Sequence, residues 1–223
     1  MTQDTGPSQS LPRRFSALRK EYAQKSLSVE EMAPNPIVQC EQWIAEAAER
    51  GMIEPNAMAL ATVSAEGKPA VRTVLLKELN ERGLIFFSNY ESRKGREIAA
   101  NPDVALLFVW PELERQIRIE GTVTRVTPGE SDEYFSSRPR GAQLSAHASK
   151  QSAPIDRRET LEARMIELEA GFAGGAISRP ASWGGYRVSP KYFEFWQGRL
   201  NRLHDRIVYV STPQGWQLQR LQP

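Results

Sequence analysis

The chain reads as a mainly β protein with flanking helices, arranged as an antiparallel barrel, and three observations predict this. From Ala57 onward, strand-like segments follow one another without a regular helix between each pair. Apolar residues alternate within them, as in Ile117, Ile119 and Val123. Turn signals at Ala65-Glu66-Gly67-Lys68 and Asn80-Glu81-Arg82-Gly83 punctuate the first segments as hairpins.

Taken in order, residues 1–14 carry Thr, Gln, Gly, Pro and Ser and are expected to form a mobile tail, followed by one domain over 15–223. Asn35-Pro36 is an N-cap followed by proline at the first helical position. Ile37, Cys40, Trp43, Ile44 and Ala47 then mark one face of an amphipathic helix ending near Gly51. Strands are expected over Met58–Val63, Ala70–Leu76 and Leu84–Ser88, a short helix after Ser92, and strands over Val104–Val109 and Gln116–Val126, making five before residue 127. Thr127-Pro128-Gly129-Glu130 is a capping-box start for a helix that Pro139 ends. Asp156 to Glu159 repeats the signal for a helix with Leu161, Met165, Leu168 and Phe172 on one face, closed by Gly174-Gly175. Four closing strands are expected around Tyr186–Val188, Tyr192–Trp196, Arg206–Val210 and Trp216–Leu221.

Composition narrows the function classes. A 40% hydrophobic and 25% charged chain can bury a real core, and a formal charge of +2 is too balanced for general attraction to nucleic acid or membrane. The single Cys40 excludes an internal disulfide and fits a reducing cytoplasm, where it serves as a packing residue. His147 and His204 are isolated from each other and from Cys40, so no metal site is expected. Neither a signal-peptide core nor a membrane-length apolar run is present.

Four constellations could carry chemistry. Near the C-terminus, Phe195-Trp196-Gln197-Gly198 precedes Arg202-Leu203-His204-Asp205-Arg206. On an extended strand Arg202, His204 and Arg206 would project together, suited to an anion, with Trp196 covering its flat part. The same alternation also decorates solvated edge strands. Arg72 and Lys77 bracket an apolar strand, Arg72-Thr73-Val74-Leu75-Leu76-Lys77, and strict alternation places them on opposite faces unless the strand twists or bulges. Asn89-Tyr90-Glu91-Ser92-Arg93-Lys94-Gly95 puts two cations at a helix start, a combination that favours phosphate but also occurs on ordinary surfaces. Tyr134 and Arg138, four apart, would offer a hydroxyl and a guanidinium to one oxyanion; a helix end with cations near it is the alternative.

Together these segments match a family. Arg-x-Val-Leu-Leu-Lys, Ser-Arg-Lys, Glu-Arg-Gln, Tyr-Phe-x-Ser-Arg-Pro, Ser-Lys-Gln-Ser, Phe-Trp-Gln-Gly and Arg-Leu-His-Asp-Arg, in this order and spacing, closely resemble the pyridoxamine 5'-phosphate oxidases from about Arg19 to Pro223. The resemblance implies a homodimer of FMN-binding split β-barrels with two FMN sites between subunits. It implies oxidation of pyridoxamine or pyridoxine 5'-phosphate to pyridoxal 5'-phosphate by O2, giving H2O2 and, from the amine, ammonia. Hydride transfer from the substrate C4' carbon to flavin N5 is the step expected.

Carried over by position, the resemblance assigns the FMN to Arg72, Thr73, Val74, Leu75, Leu76, Lys77, Phe87, Ser88, Arg93, Lys94, Gln116, Gln151, Ser152, Trp196 and Arg206. It assigns substrate phosphate to Lys77, Tyr134 and Arg138, and the reacting end to Arg202 and His204, with Arg19 and Tyr22 closing over it. Three positions depart from the pattern: Ala142 stands where a phosphate-contacting serine is common, His147 for a tryptophan and Phe87 for a tyrosine.

Overall fold

The computed structural model describes residues 21–23 and 25–223. Arg19 and the expected tail over 1–14 lie outside the described residues. After a 3-10 turn at Val29–Glu31, helix α1 spans Pro36–Glu49, and the Asn35 side chain accepts from the Ile37 N–H as its cap. Ile37, Cys40, Trp43 and Ala47 are buried, as the pattern predicts. Burial also pushes the Cys40 thiol up, consistent with a packing role. The Arg115 guanidinium lies 4.3 Å over the Trp43 ring, donates to Gln197 and pairs with Glu46, pinning α1 to the sheet.

The sheet holds β1 (Ala57–Val63), β2 (Pro69–Leu75), β3 (Glu78–Asn80), β4 (Gly83–Asn89), β5 (Asp103–Trp110) and β6 (Arg115–Arg125). Helix α2 (Arg93–Ala100) follows β4. Beyond them come helices α3 (Pro128–Ser137), α4 (Arg140–Ala148) and α5 (Glu159–Phe172), then β7 (Trp183–Gln197), β8 (Asp205–Thr212) and β9 (Gly215–Leu221). All pairings are antiparallel, in the order β2-β1-β5-β6-β7-β4-β3, with β8 beside β7 and β9 beside β8. The strand β7 divides its neighbours: Trp183–Val188 pairs with β4 and Tyr192–Gln197 with β8. One main core of Leu60, Phe86, Leu106, Phe108, Ile117, Phe193 and Phe195 fills the barrel. A smaller cluster of Phe135, Leu144, Ile177 and Trp183 seats the α3–α5 layer.

Five expectations need correction. Among the described residues six strands precede residue 127, because β3 is a three-residue pair with β4, too short to show alternation. Tyr186–Val188 and Tyr192–Trp196 belong to one strand, since Pro190 sits at a bulge where the register with β6 shifts. Pro139 ends α3 but also opens α4, a helix not anticipated. The signal at Asp156 precedes α5 by a few residues; Asp156 accepts from the Thr160 hydroxyl, and the helix begins at Glu159. Finally, Arg202 lies in a 3-10 turn (Leu200–Arg202), and β8 starts only at Asp205, so Arg202, His204 and Arg206 do not share a strand face. The Thr127–Glu130 capping box forms as read.

Candidate active site

The strand β2 stops at Leu75, and the chain then changes partner: the Leu76 N–H donates to Asn56 and the Lys77 N–H to Ile85 of β4. That crossing turns Lys77 to the same cavity as Arg72, resolving the opposite-face problem. The cavity, about 950 Å³, is lined by Arg72, Thr73, Val74, Leu75 and Lys77 with Phe87, Ser88 and Lys94. Tyr134, Arg138, Gln151 and Trp183 complete its working wall. Leu76 is buried in the core instead.

Part of the cavity wall gathers a cation, a hydroxyl and an amide at the start of α2. Ser92 caps α2 by accepting from the Gly95 N–H. A Cβ on Gly95 would lie 2.1 Å from the Tyr90 carbonyl oxygen, so only glycine lets this helix start pack so tightly. The buried Lys94 ammonium donates to Ser88 and Gln151 at 3.0 and 3.1 Å. Burial, then the Arg72 charge, holds Lys94 below its ordinary pKa, and Glu97 opposes this. Arg93 and Ser152 lie outside the cavity wall but meet each other, Arg93 N–H to Ser152 Oγ at 3.1 Å.

Another part of the wall is aromatic and cationic. Phe87 stacks on Tyr134 at 3.9 Å and on Trp183 at 5.4 Å. The Arg138 guanidinium lies 4.6 Å over the Trp183 ring, and its Nη1 is buried without a hydrogen-bond partner. Burial lowers the Arg138 pKa. Arg138 lines the cavity, and a guanidinium there offers charge-assisted bonds to an oxyanion.

Gln116, Trp196 and Arg206 line a second cavity of about 360 Å³, with Leu107, Arg118, Glu194 and Pro223. Glu194 accepts from Arg206 Nε at 2.6 Å and pairs with Arg118 at 3.0 Å. Burial alone would raise its carboxyl, but the Arg206 hydrogen bond and charge hold it below the usual range. Beside this cavity the Trp196 and His204 rings lie 4.6 Å apart, and Tyr22 sets its ring edge against both at 5.8 Å. The Arg199 N–H donates to His204 Nδ1 at 3.1 Å. Arg202 is exposed, with φ of 61° following Asn201 at 56°.

The two cavities share no lining residue, yet they flank one outer sheet face. Ala59 stands opposite Thr73 on one side and Leu107 on the other. Around it Ala61, Val71, Ala105 and Val109 leave an apolar surface, with Val71 69% exposed. Among the described residues no cluster of His, Cys, Asp or Glu could hold a metal ion. Likewise no described helix is long and apolar enough to cross a membrane.

Sequence reading missed Trp183, Glu194 and Glu97. Only Glu97 left a local signal, its spacing of four from Arg93 on a helix.

The fold and these donors define a split-barrel protein with an anion-binding cavity against its sheet. Residues 44–170 match the family model described as pyridoxamine 5'-phosphate oxidase. Residues 183–223 match that of the pyridoxine 5'-phosphate oxidase C-terminal dimerisation region. The chain is 54% identical over 211 residues to the pyridoxine/pyridoxamine 5'-phosphate oxidase of Rubrobacter xylanophilus, covering 95% of this chain and 97% of that one. It is 55% identical over 209 residues to the protein of the same description from Cyanothece sp., covering 94% and 98%. Among solved structures, PhzG from Burkholderia lata 383, in complex with tetrahydrophenazine-1-carboxylic acid, superposes with a TM-score of 0.85 at 32% identity, over 92% of this chain and 100% of that one. A pyridoxamine 5'-phosphate oxidase-related, FMN binding protein from Nostoc punctiforme shares the fold, with a TM-score of 0.67 at 18% identity over 89% and 100%. The chain belongs to the pyridoxamine 5'-phosphate oxidase family.

Proposed function

We propose that the chain oxidises pyridoxamine or pyridoxine 5'-phosphate to pyridoxal 5'-phosphate, with FMN as cofactor and O2 as acceptor. The reaction gives H2O2 and, from the amine, ammonia. It serves vitamin B6 biosynthesis and salvage, and the protein works as a homodimer through its C-terminal region. The observation that carries the reading is a single cavity lined by enough cations for two anion seats, Lys94 with Arg72 and Lys77 with Arg138. A cofactor and a substrate that each carry a phosphate need two such seats; a simple flavin carrier needs one. The cytoplasm is the compartment we assign, from the single buried cysteine.

The donors fit FMN. Lys94, Arg72, Ser88 and the α2 start offer charge-assisted bonds to a phosphate dianion, supported by Arg93, Gln151 and Ser152. The strand Thr73–Leu75 supplies backbone and apolar contact, and Gln116, Trp196 and Arg206 supply amide, stacking and cationic groups for the ring. When bound, FMN supplies the redox chemistry, a two-electron acceptor that O2 reoxidises. The outer apolar face supports a site shared between subunits: added to the C-terminal region, an isologous contact across Ala59, Ala61 and Val71 sets the large cavity of one protomer against the smaller cavity of its partner.

The chain's own residues bind and orient. Lys77, Tyr134 and Arg138, all in the wall of the one cavity, hold the substrate phosphate. Arg202 clamps the reacting end, with Tyr22 at its margin. Because Arg199 N–H donates to His204 Nδ1, that nitrogen is the acceptor, and the neutral ring carries its proton on Nε2. His204 therefore donates a hydrogen bond to the substrate and orients it, without taking a proton.

The direct experiment is anaerobic titration of FMN-reconstituted protein with pyridoxine 5'-phosphate. Bleaching of the flavin band together with aldehyde formation is expected. A flavin that stays oxidised with both the alcohol and the amine would reduce the protein to a carrier.

A second prediction concerns pH. Burial, then the Arg202 charge, lowers the His204 pKa. With a folded value below the unfolded one, the neutral donor persists through neutral pH and is lost only as pH falls through the lowered value. Proton NMR titration is readable because the chain has two histidines. The His204 resonance, assigned with His147→Gln, should titrate below the ordinary histidine range. Titration above that range would remove the donor role.

A further inference from the structure

Glu97 is a buried carboxylate at the back of the anion seat, 5% exposed, and the functional reading gives it no part. Its Oε2 accepts from Thr62 Oγ1 at 2.6 Å and from Arg72 Nη2 at 2.9 Å. Its Oε1 accepts from Arg93 Nε at 2.8 Å. Three elements therefore converge on one side chain: β1 through Thr62, β2 through Arg72, and α2, which carries Glu97 and Arg93.

The bonds at Arg72 show what this convergence does. Arg72 Nη1 is committed to the Leu60 and Ala70 carbonyls and the Thr62 hydroxyl, while Nη2 gives one N–H to Glu97. The guanidinium is thereby fixed in plane on a residue that lines the cavity, and Nε and the second Nη2 hydrogen take no part in these bonds. On Arg93, Glu97 takes only Nε, leaving the terminal nitrogens outside that bond. Burial alone would raise the Glu97 carboxyl; the hydrogen bonds from Thr62, Arg93 and Arg72, with the Arg72 charge, hold it below the usual range, so it is ionised.

We propose that Glu97 is a positioning residue for phosphate recognition, aiming Arg72 and Arg93 at the phosphate of the cofactor. This rests on the FMN reading of the cavity and deepens it. A negative charge near a bound dianion is unfavourable by Coulomb's law alone, so the role makes a prediction of opposite sign to simple electrostatics. If Glu97 acted only through its charge, removing that charge would tighten FMN. If it orders the two arginines, removing it loosens FMN despite the gain in net positive charge.

The test compares the affinities of FMN and riboflavin, which lacks the phosphate, for apoprotein carrying Glu97→Gln, by flavin fluorescence quenching. FMN should weaken by about 10- to 100-fold, the scale of one or two charge-assisted hydrogen bonds, with riboflavin unchanged. Thr62→Val, which removes one bond to the same carboxylate and the one that Thr62 accepts from Arg72 Nη1 while keeping the charge, should weaken FMN in the same direction. It also supplies the answer if Glu97→Gln fails to fold. Equal loss of FMN and riboflavin would mean a merely structural role, and unchanged or tighter FMN would mean no positioning role. Wild-type protein that binds FMN no better than riboflavin would instead overturn the cofactor reading of the cavity.

Discussion

Replacing Arg202 with alanine should lower turnover by about 10²- to 10³-fold while FMN remains bound, the usual scale for losing a fixed cation aimed at a reacting group. Arg202 lines neither cavity, so flavin fluorescence quenching in Arg202→Ala should match the wild type. Its backbone sits at φ 61°, directly after Asn201 at 56°, and left-handed conformations at non-glycine residues each cost on the order of 1 kcal/mol or more. The turn thus carries strain at the residue whose charge acts on His204. Arg202→Gly should raise the melting temperature and still lose turnover, separating strain from chemistry. Stopped-flow flavin reduction would decide the matter: a rate unchanged in Arg202→Ala would defeat the assigned role.

Arg138→Met should raise KM for pyridoxine 5'-phosphate by about 10²-fold, the loss of two charge-assisted bonds to phosphate. Folding should not suffer. The Arg138 guanidinium is desolvated, and its buried Nη1 has no partner, which costs roughly 1–3 kcal/mol. Against this stands the contact with Trp183, worth about 0.5–2 kcal/mol, much of which a methionine sulfur on the same ring retains. The expected pattern is therefore a strongly raised KM with an equal or higher melting temperature. A fall of several degrees together with an unchanged KM would assign Arg138 to the fold and not to the substrate.

What the chain's letters disclosed follows from how local each feature is. The Asn35 cap, the Thr127–Glu130 capping box and the buried face of α1 depend on neighbours within a few positions, and they stand as read. The hairpin from β1 to β2 was equally legible, because its turn and alternation lie within one segment. The register-breaking bulge at Pro190 and the change of partner at Leu76 depend on strands far away in sequence, so β7 looked like two strands and Lys77 seemed misplaced. The left-handed pair at Asn201 and Arg202 contains no glycine to announce it, and a short alternation there reads as a strand. The anion seat was visible as Ser92-Arg93-Lys94, but its supporting carboxylate, Glu97, emerged only when β1 and β2 were laid against α2.

The division of the proposed flavin donors between two cavities on either side of Ala59 has a consequence in solution. If each cofactor is gripped by the phosphate seat of one protomer and the ring donors of the other, then FMN binds the dimer and favours its assembly by mass action. Cofactor affinity and subunit affinity become a single linked quantity. Diluting the protein should then shed flavin, added flavin should rescue the dimer, and a substitution at the exposed Val71 should change how much of the enzyme is yellow at a given concentration.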